Sequence, residues 1–273
     1  MNKKIVVITG AGSGIGRALA LEYGKMGMKL ALNDFNAEGL KETQLLLSKQ
    51  NSIDVFTSVF DVSDKEAMFH FAKEIEHKWG KVHTVINNAG IRGYDIPAYL
   101  IDDAKLRRVM DINFYGVVNG CQAFLPHLIE NQEGAIVNIS SIFGLIGIPN
   151  CADYCTSKFA VRGYTETLMA EFHASPITIH CVHPGGINTN ISKDANSTKF
   201  KELYLKTPPE KLAQYIIQSV KKNKPRIVYG TSSFRIWLLS NIIPMKIQNM
   251  LIWMEAKKTI SIDEYKKFIK NLK

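Results

Sequence analysis

Over the first two-thirds of the chain, short β-branched apolar runs alternate with longer stretches of helical length and period. The runs IVVIT (5–9), LALND (30–34), DVFTSV (54–59), VHTVIN (82–87), AIVNIS (135–140) and ITIHCV (177–182) predict strands, and RIVYG (226–230) a weaker seventh. Strands that alternate with helices in this way make a parallel sheet covered on both faces by helices, a doubly wound α/β fold. Helix starts carry their own signals. Ser63-Asp64-Lys65-Glu66 and Ser261-Ile262-Asp263-Glu264 read as capping boxes, and Thr207-Pro208-Pro209-Glu210 places a proline at the first helical position. No repeat, low-complexity tract or Gly/Ser linker breaks the pattern, so residues 1–273 read as one domain with a helical extension over 231–273.

Composition narrows the picture. A chain of 273 residues, 46% hydrophobic and 22% charged, suits one sizeable core. No apolar stretch reaches the roughly eighteen residues of a membrane-spanning helix, and the N-terminal MNKKIVVITGAGSG reads as a strand before a turn, not as a signal peptide. Cys121, Cys151, Cys155 and Cys181 lack CxxC spacing and histidines at zinc-ligand distance, so no metal site is expected. They read as buried free thiols in a reducing cytoplasm, although Cys151 and Cys155 flank Tyr154 and would be the pair most sensitive to oxidation.

The net charge of +9 is unevenly spread. Residues 1–192 hold 17 Lys/Arg against 19 Asp/Glu, whereas residues 193–273 hold 17 against 6. No nucleic-acid module or run of stacking aromatics accompanies that basic third, so nucleic acid is not an expected partner. It reads as a solvated basic face or as one attracted to an anionic membrane surface.

TGAGSGIG (9–16) lies between the first strand and a helix. Its glycines let the backbone turn sharply and approach a pyrophosphate, and the helix N-terminus then offers free N–H groups to that anion. Gly10, Ser13, Gly14, Ile15 and Gly16 are therefore candidate dinucleotide contacts. Asp34 ends the second strand, where a carboxylate accepts hydrogen bonds from both ribose hydroxyls and repels a 2′-phosphate. Neither Ser13 nor Phe35 supplies a positive charge to offset it, which favours NAD over NADP, with NADP the alternative.

YCTSK places Tyr154 and Lys158 one helical turn apart. Hydride transfer at a carbonyl carbon leaves a proton to be moved on or off oxygen, and a lysine ammonium beside a tyrosine, together with the positive nicotinamide ring, favours the phenolate that could take it. Ser141 follows strand AIVNIS, at a carboxyl end of the sheet where ligands bind, with Ser140 as its rival.

Taken in order, TGxxxGxG, NNAG (87–90), Asn113, Ser141 and YxxxK resemble the short-chain dehydrogenase/reductase family from residue 5 to about 190. The resemblance implies the sheet order 3-2-1-4-5-6-7. It makes Tyr154 the general acid/base, Lys158 its pKa tuner and ribose anchor, and Ser141 the hydroxyl that orients the substrate oxygen. Asn113 would complete a proton relay through water, and Asp61 would meet the adenine amino group with Val62 beside it. Asn88, Ala89 and Gly90 would line the adenosine side, and Pro184, Gly185, Ile187 and Thr189 the nicotinamide side. In PGGINT the second glycine reads as added backbone freedom beside the cofactor. Residues 187–207 stand where the family carries a substrate lid. Homodimers or homotetramers through the helices around 102–131 and 153–173 follow the family habit.

Ile142, Phe143, Ile146, Ile148 and Pro149 suggest an apolar pocket wall. FRIWLLSNIIPMKIQNMLIWMEAKK (234–258) reads as a cover for the pocket, a subunit contact or a peripheral membrane contact. The expected enzyme transfers hydride between NAD(H) and a lipophilic secondary alcohol or ketone. The rivals are an NADPH-dependent acyl or polyketide-type ketoreductase and a non-enzymatic dinucleotide-binding scaffold.

Overall fold

The computed structural model describes residues 3–50, 53–189, 204–258, 260 and 265. Seven parallel strands run β1 (Ile5–Thr9), β2 (Lys29–Asp34), β3 (Val55–Val59), β4 (Thr84–Asn87), β5 (Gly134–Ile139), β6 (Ile177–Pro184) and β7 (Arg226–Tyr229). Their order across the sheet is β3-β2-β1-β4-β5-β6-β7. Every residue of β1 is buried, as a central strand covered on both faces requires. Its neighbours meet it in register at Val6, opposite Leu30 on one side and Thr84 on the other. Since β1 pairs with β2 and β4, the winding reverses there and leaves a crevice at the carboxyl ends.

Helices close both faces. On one face α1 (Gly14–Lys25), α2 (Ala37–Ser48) and a later helix, Pro209–Lys221, bury Leu19, Leu40, Leu212 and Ile216 against Ile8 and Leu32. On the other, α3 (Lys65–Trp79), α5 (Gly116–Asn131) and α6 (Ala152–Glu171) cover the sheet, with Phe71, Phe124 and Leu168 in its core, and α4 (Asp103–Met110) packs on α6. Full burial of a side chain such as Phe71 or Leu19 contributes about 2–3 kcal/mol. The helix Pro209–Lys221 is α7, and two more follow β7: α8 (Ser233–Ile242) and α9 (Met245–Ala256), joined at Pro244. Among the described residues no helix is long and apolar enough to cross a membrane.

Helix starts differ from the sequence reading in detail. Asp64, not Ser63, caps α3 by accepting a hydrogen bond from the Ala67 N–H at 3.0 Å. Ser63 is drawn away because its N–H and hydroxyl both donate to Asp61. Pro209 is the first residue of α7, with Thr207 turned aside onto Thr231. The capping box at 261–264 and most of the 187–207 segment lie outside the described residues.

Between α4 and α5 the chain makes one wide π-turn, Asp111–Tyr115. Such turns mark functional positions more often than chance. Asn113 sits at its centre and is fully buried.

Candidate active site

The glycine-rich turn joins β1 to α1 at the crevice. Gly14 has a φ of 52°, a left-handed conformation that favours glycine. At Gly16 a Cβ would stand 2.0 Å from the Gly10 carbonyl oxygen, so the turn closes on itself only without a side chain. Ser13 precedes α1 with no side-chain cap, which leaves the first N–H groups of the helix for an anion. Gly10, Gly14, Ile15, Ser13, Asp34, Asp61, Val62 and the stretch Asn88, Ala89, Gly90 all line one cleft of about 2160 Å³.

Asp34 is held rigidly. One carboxylate oxygen accepts the Gly12 N–H at 2.7 Å and the other the Asn36 N–H at 2.9 Å. Arg17, which the sequence reading passed over, lines the same end of the cleft. Its guanidinium is committed to Glu42 and to the carbonyls of Gly12 and Gly39, so it does not stand free to neutralise a phosphate. Asn88 works from behind the turn, donating to the carbonyls of Thr9 at 3.0 Å and Gly10 at 3.1 Å. Asp61 is paired with Arg108. Burial opposes its ionisation, yet Arg108 and Ser63 bring the carboxyl below the usual range.

Across the crevice, Ser141, Tyr154 and Lys158 come together. Ser141 stands beside Tyr154, where it favours the ionised phenol, and its hydroxyl accepts the Phe143 N–H at 3.1 Å. Ser140 faces the other way and donates to the Lys158 carbonyl at 2.8 Å. Lys158 donates to the Ile139 carbonyl at 3.0 Å, with its nitrogen 5.7 Å from the centre of the Tyr154 ring.

Burial dominates both titrations. It pushes the Tyr154 phenol up, against the lowering effect of Ser141, and brings Lys158 down to about 8. The expected lowering of Tyr154 by Lys158 is therefore not a property of the protein groups alone. Desolvation penalises the phenolate and the ammonium alike, and each then does less for the other.

Asn113 spends its side chain on position. Its oxygen accepts the Ile91 N–H at 2.7 Å, while its nitrogen donates to the Ile91 carbonyl and the Ser157 hydroxyl, each at 3.0 Å. Ser157 in turn donates to the Tyr154 carbonyl at 2.8 Å. The π-turn is thus tied to α6 between the tyrosine and the lysine. Gly90 stands beside it, where a Cβ would lie 3.0 Å from the Asn113 oxygen and 3.4 Å from the Lys158 nitrogen.

Two positioning residues escaped the sequence reading. His183 is fully buried in β6 and its Nδ1 lies 2.9 Å from the Ser141 carbonyl oxygen. Desolvation brings its pKa down to about 4, so it is neutral. Asp153 accepts the Tyr94 N–H at 2.9 Å and fixes the loop after β4 against α6. A histidine in an apolar strand and an aspartate in a helix carry no local sequence signal for either contact.

Pro184, Gly185, Ile187 and Thr189 line the cleft opposite the glycine-rich turn, with Thr189 against Gly14. Gly186 is needed for space rather than for freedom. A Cβ there would meet the Tyr204 carbonyl oxygen at 1.7 Å. Cys151 and Cys155, both buried, flank Tyr154 as free thiols. Among the described residues no group of three His, Cys, Asp or Glu side chains is placed to hold a metal.

A doubly wound sheet with a pyrophosphate-binding turn at its switch point, facing a Ser-Tyr-Lys cluster, defines a dinucleotide-dependent oxidoreductase. Comparison with known proteins makes this specific. The family model described as short chain dehydrogenase matches residues 4–199, and the chain belongs to that family. SadH of Mycobacterium tuberculosis, provisionally named an oxidoreductase, is 39% identical over 260 residues, spanning 91% of this chain and 94% of SadH. Human estradiol 17-beta-dehydrogenase 11 is 31% identical over 262 residues, covering 95% of this chain and 84% of its own. In fold, the chain resembles a short-chain dehydrogenase/reductase from Burkholderia phymatum in complex with NAD, with a TM-score of 0.82 at 24% identity. That match covers 91% of this chain and 95% of the other. The protein is thus a nicotinamide-dinucleotide-dependent dehydrogenase/reductase acting on CH–OH groups.

Proposed function

We propose that the enzyme oxidises a lipophilic secondary alcohol, or reduces the corresponding ketone, with NAD(H). The observation that carries this reading is that Ser141, Tyr154 and Lys158 line one cleft beside an apolar wall. Ile142, Phe143, Ile146, Ile148 and Pro149 form that wall on one side, and α8 and α9 contribute further apolar residues. The name of the estradiol dehydrogenase relative is consistent with a substrate of that polarity. Asp34, gripped by two backbone N–H groups and with no free cation beside it among the described residues, supports NAD over NADP.

When bound, the nicotinamide supplies the hydride donor or acceptor and, oxidised, a positive ring. Ser141 and Tyr154 then hold the substrate oxygen. In reduction Tyr154 donates its proton to that oxygen, and in oxidation it takes the proton back. Lys158 stabilises the phenolate in between and anchors the ribose. Asn113 aligns α6 through Ser157, and its share in a proton relay falls to its main chain at the π-turn. Residues 187–207 act as a lid, and the helices around 102–131 and 153–173 join copies of the chain.

A panel of hydroxysteroids, retinoids, fatty alcohols and short hydroxy acids, assayed with both cofactors, tests the reading. Tyr154→Phe is expected to lower kcat about 10³-fold and Ser141→Ala about 10²-fold, with NADH binding retained. Unchanged turnover in Tyr154→Phe would return the chain to the scaffold reading.

A further inference from the structure

Helices α8 and α9 are apolar on nearly every side, which in a water-soluble helix calls for a partner on every side. Their inner faces have one: Ile236, Leu239, Ile243, Leu251 and Ile252 line the cleft. Among the described residues their outer faces have none. Phe234, Leu238 and Ile242 form a stripe at helical spacing along α8, and Met245, Ile247 and Met250 continue it past Pro244 onto α9. Phe234 is 62%, Ile242 69% and Met245 73% exposed.

The charge around this stripe is predominantly positive. Residues 231–258 contain four basic side chains, Arg235, Lys246, Lys257 and Lys258, all exposed, against the single acid Glu255. Glu255 is already engaged by Lys258 and Tyr204. A second copy related by a two-fold axis would set this basic patch against itself, which like charges oppose. An anionic lipid surface matches both features at once, because acyl chains receive the stripe and headgroups the cations. With 10 and 12 residues, α8 and α9 are too short to span and suited to lie in the interface plane.

We propose that the outer face of α8 and α9 docks the enzyme on an anionic membrane, with the cleft opening beneath the same two helices. Binding itself does not depend on which substrate the enzyme takes, so it can fail or succeed independently of the proposed activity. The test is co-sedimentation of the full chain with vesicles of about 70% phosphatidylcholine and 30% phosphatidylglycerol, and with phosphatidylcholine alone. Wild type is expected to pellet with the anionic vesicles at least about tenfold more than with the neutral ones, and to be released near 0.5 M salt. Leu238→Glu/Ile242→Glu, at positions that do not line the cleft, should abolish pelleting while the thermal midpoint and NADH affinity stay unchanged. Wild type left in the supernatant, or a double variant that still pellets, overturns the proposal. If the wild type does not pellet and the double variant halves its molecular mass in light scattering, the stripe belongs to a second copy.

Discussion

Burial pushes the Tyr154 phenol up and the Lys158 ammonium down, so the protonation of the pair is set by competition between desolvation and charge. Lys158 titrates near 8 in the free enzyme and carries its ammonium below that pH. For ketone reduction, kcat/KM is therefore expected to hold between pH 6 and 7 and to fall as pH rises through about 8. A profile flat to about pH 9.5 would separate Lys158 from the chemistry. Asp34 governs the other end of the cleft. Asp34→Ser removes a carboxylate that would face a 2′-phosphate, and should shift the kcat/KM ratio towards NADP(H) by about ten- to a hundredfold. That these residues share one cleft was readable because each sits at a motif position with a chemical reason. His183 and Asp153 were not, because their contacts join β6 to Ser141 and α6 to the loop after β4. Such contacts exist only once the sheet order is set.

At the scale of elements, each of the seven strands was legible to within about two residues, since β-branched runs between turns carry a local signal. The break between α4 and α5 was not. The stretch MDINFYGVVNG keeps a helical pattern, and only the demand of Asn113 on Ile91 and Ser157 makes the π-turn intelligible. The shift of the α3 cap from Ser63 to Asp64 has a similar origin, as Asp61 competes for the serine. The turn after β6 offers a direct test. Gly186→Ala drives a methyl into the Tyr204 carbonyl and must displace Tyr204 and Leu205, which line the cleft. Weaker nicotinamide binding, by about tenfold or more in NADH fluorescence titration, is expected, with little change in helix content by circular dichroism.

Across the whole molecule, buried histidines set the response to acid. His127, His180 and His183 lie in the core on α5 and β6, and desolvation lowers the pKa of each. The unfolded chain binds protons near pH 6.5, whereas His183 takes one in the folded state only near 4. Stability is therefore complete above about 6.5 and lost as pH falls towards 4, by up to about 3 kcal/mol for His183 alone. Urea midpoints at pH 7.5 and pH 5 measure this, and His183→Gln should flatten the difference between them. The doubly wound architecture and its sheet order followed from alternation and resemblance. The pocket was less legible, because Ile142, Leu239 and Ile252 come from segments far apart in sequence.

One short stretch, residues 231–258, forms part of the chamber wall and also the outer coat of the enzyme. Side chains on the outer stripe, such as Leu238 and Ile242, can change without touching the chamber, but any change that tilts the helices moves both. Grafting this stretch onto another dehydrogenase of the same fold should transfer a substrate range and a cellular address together.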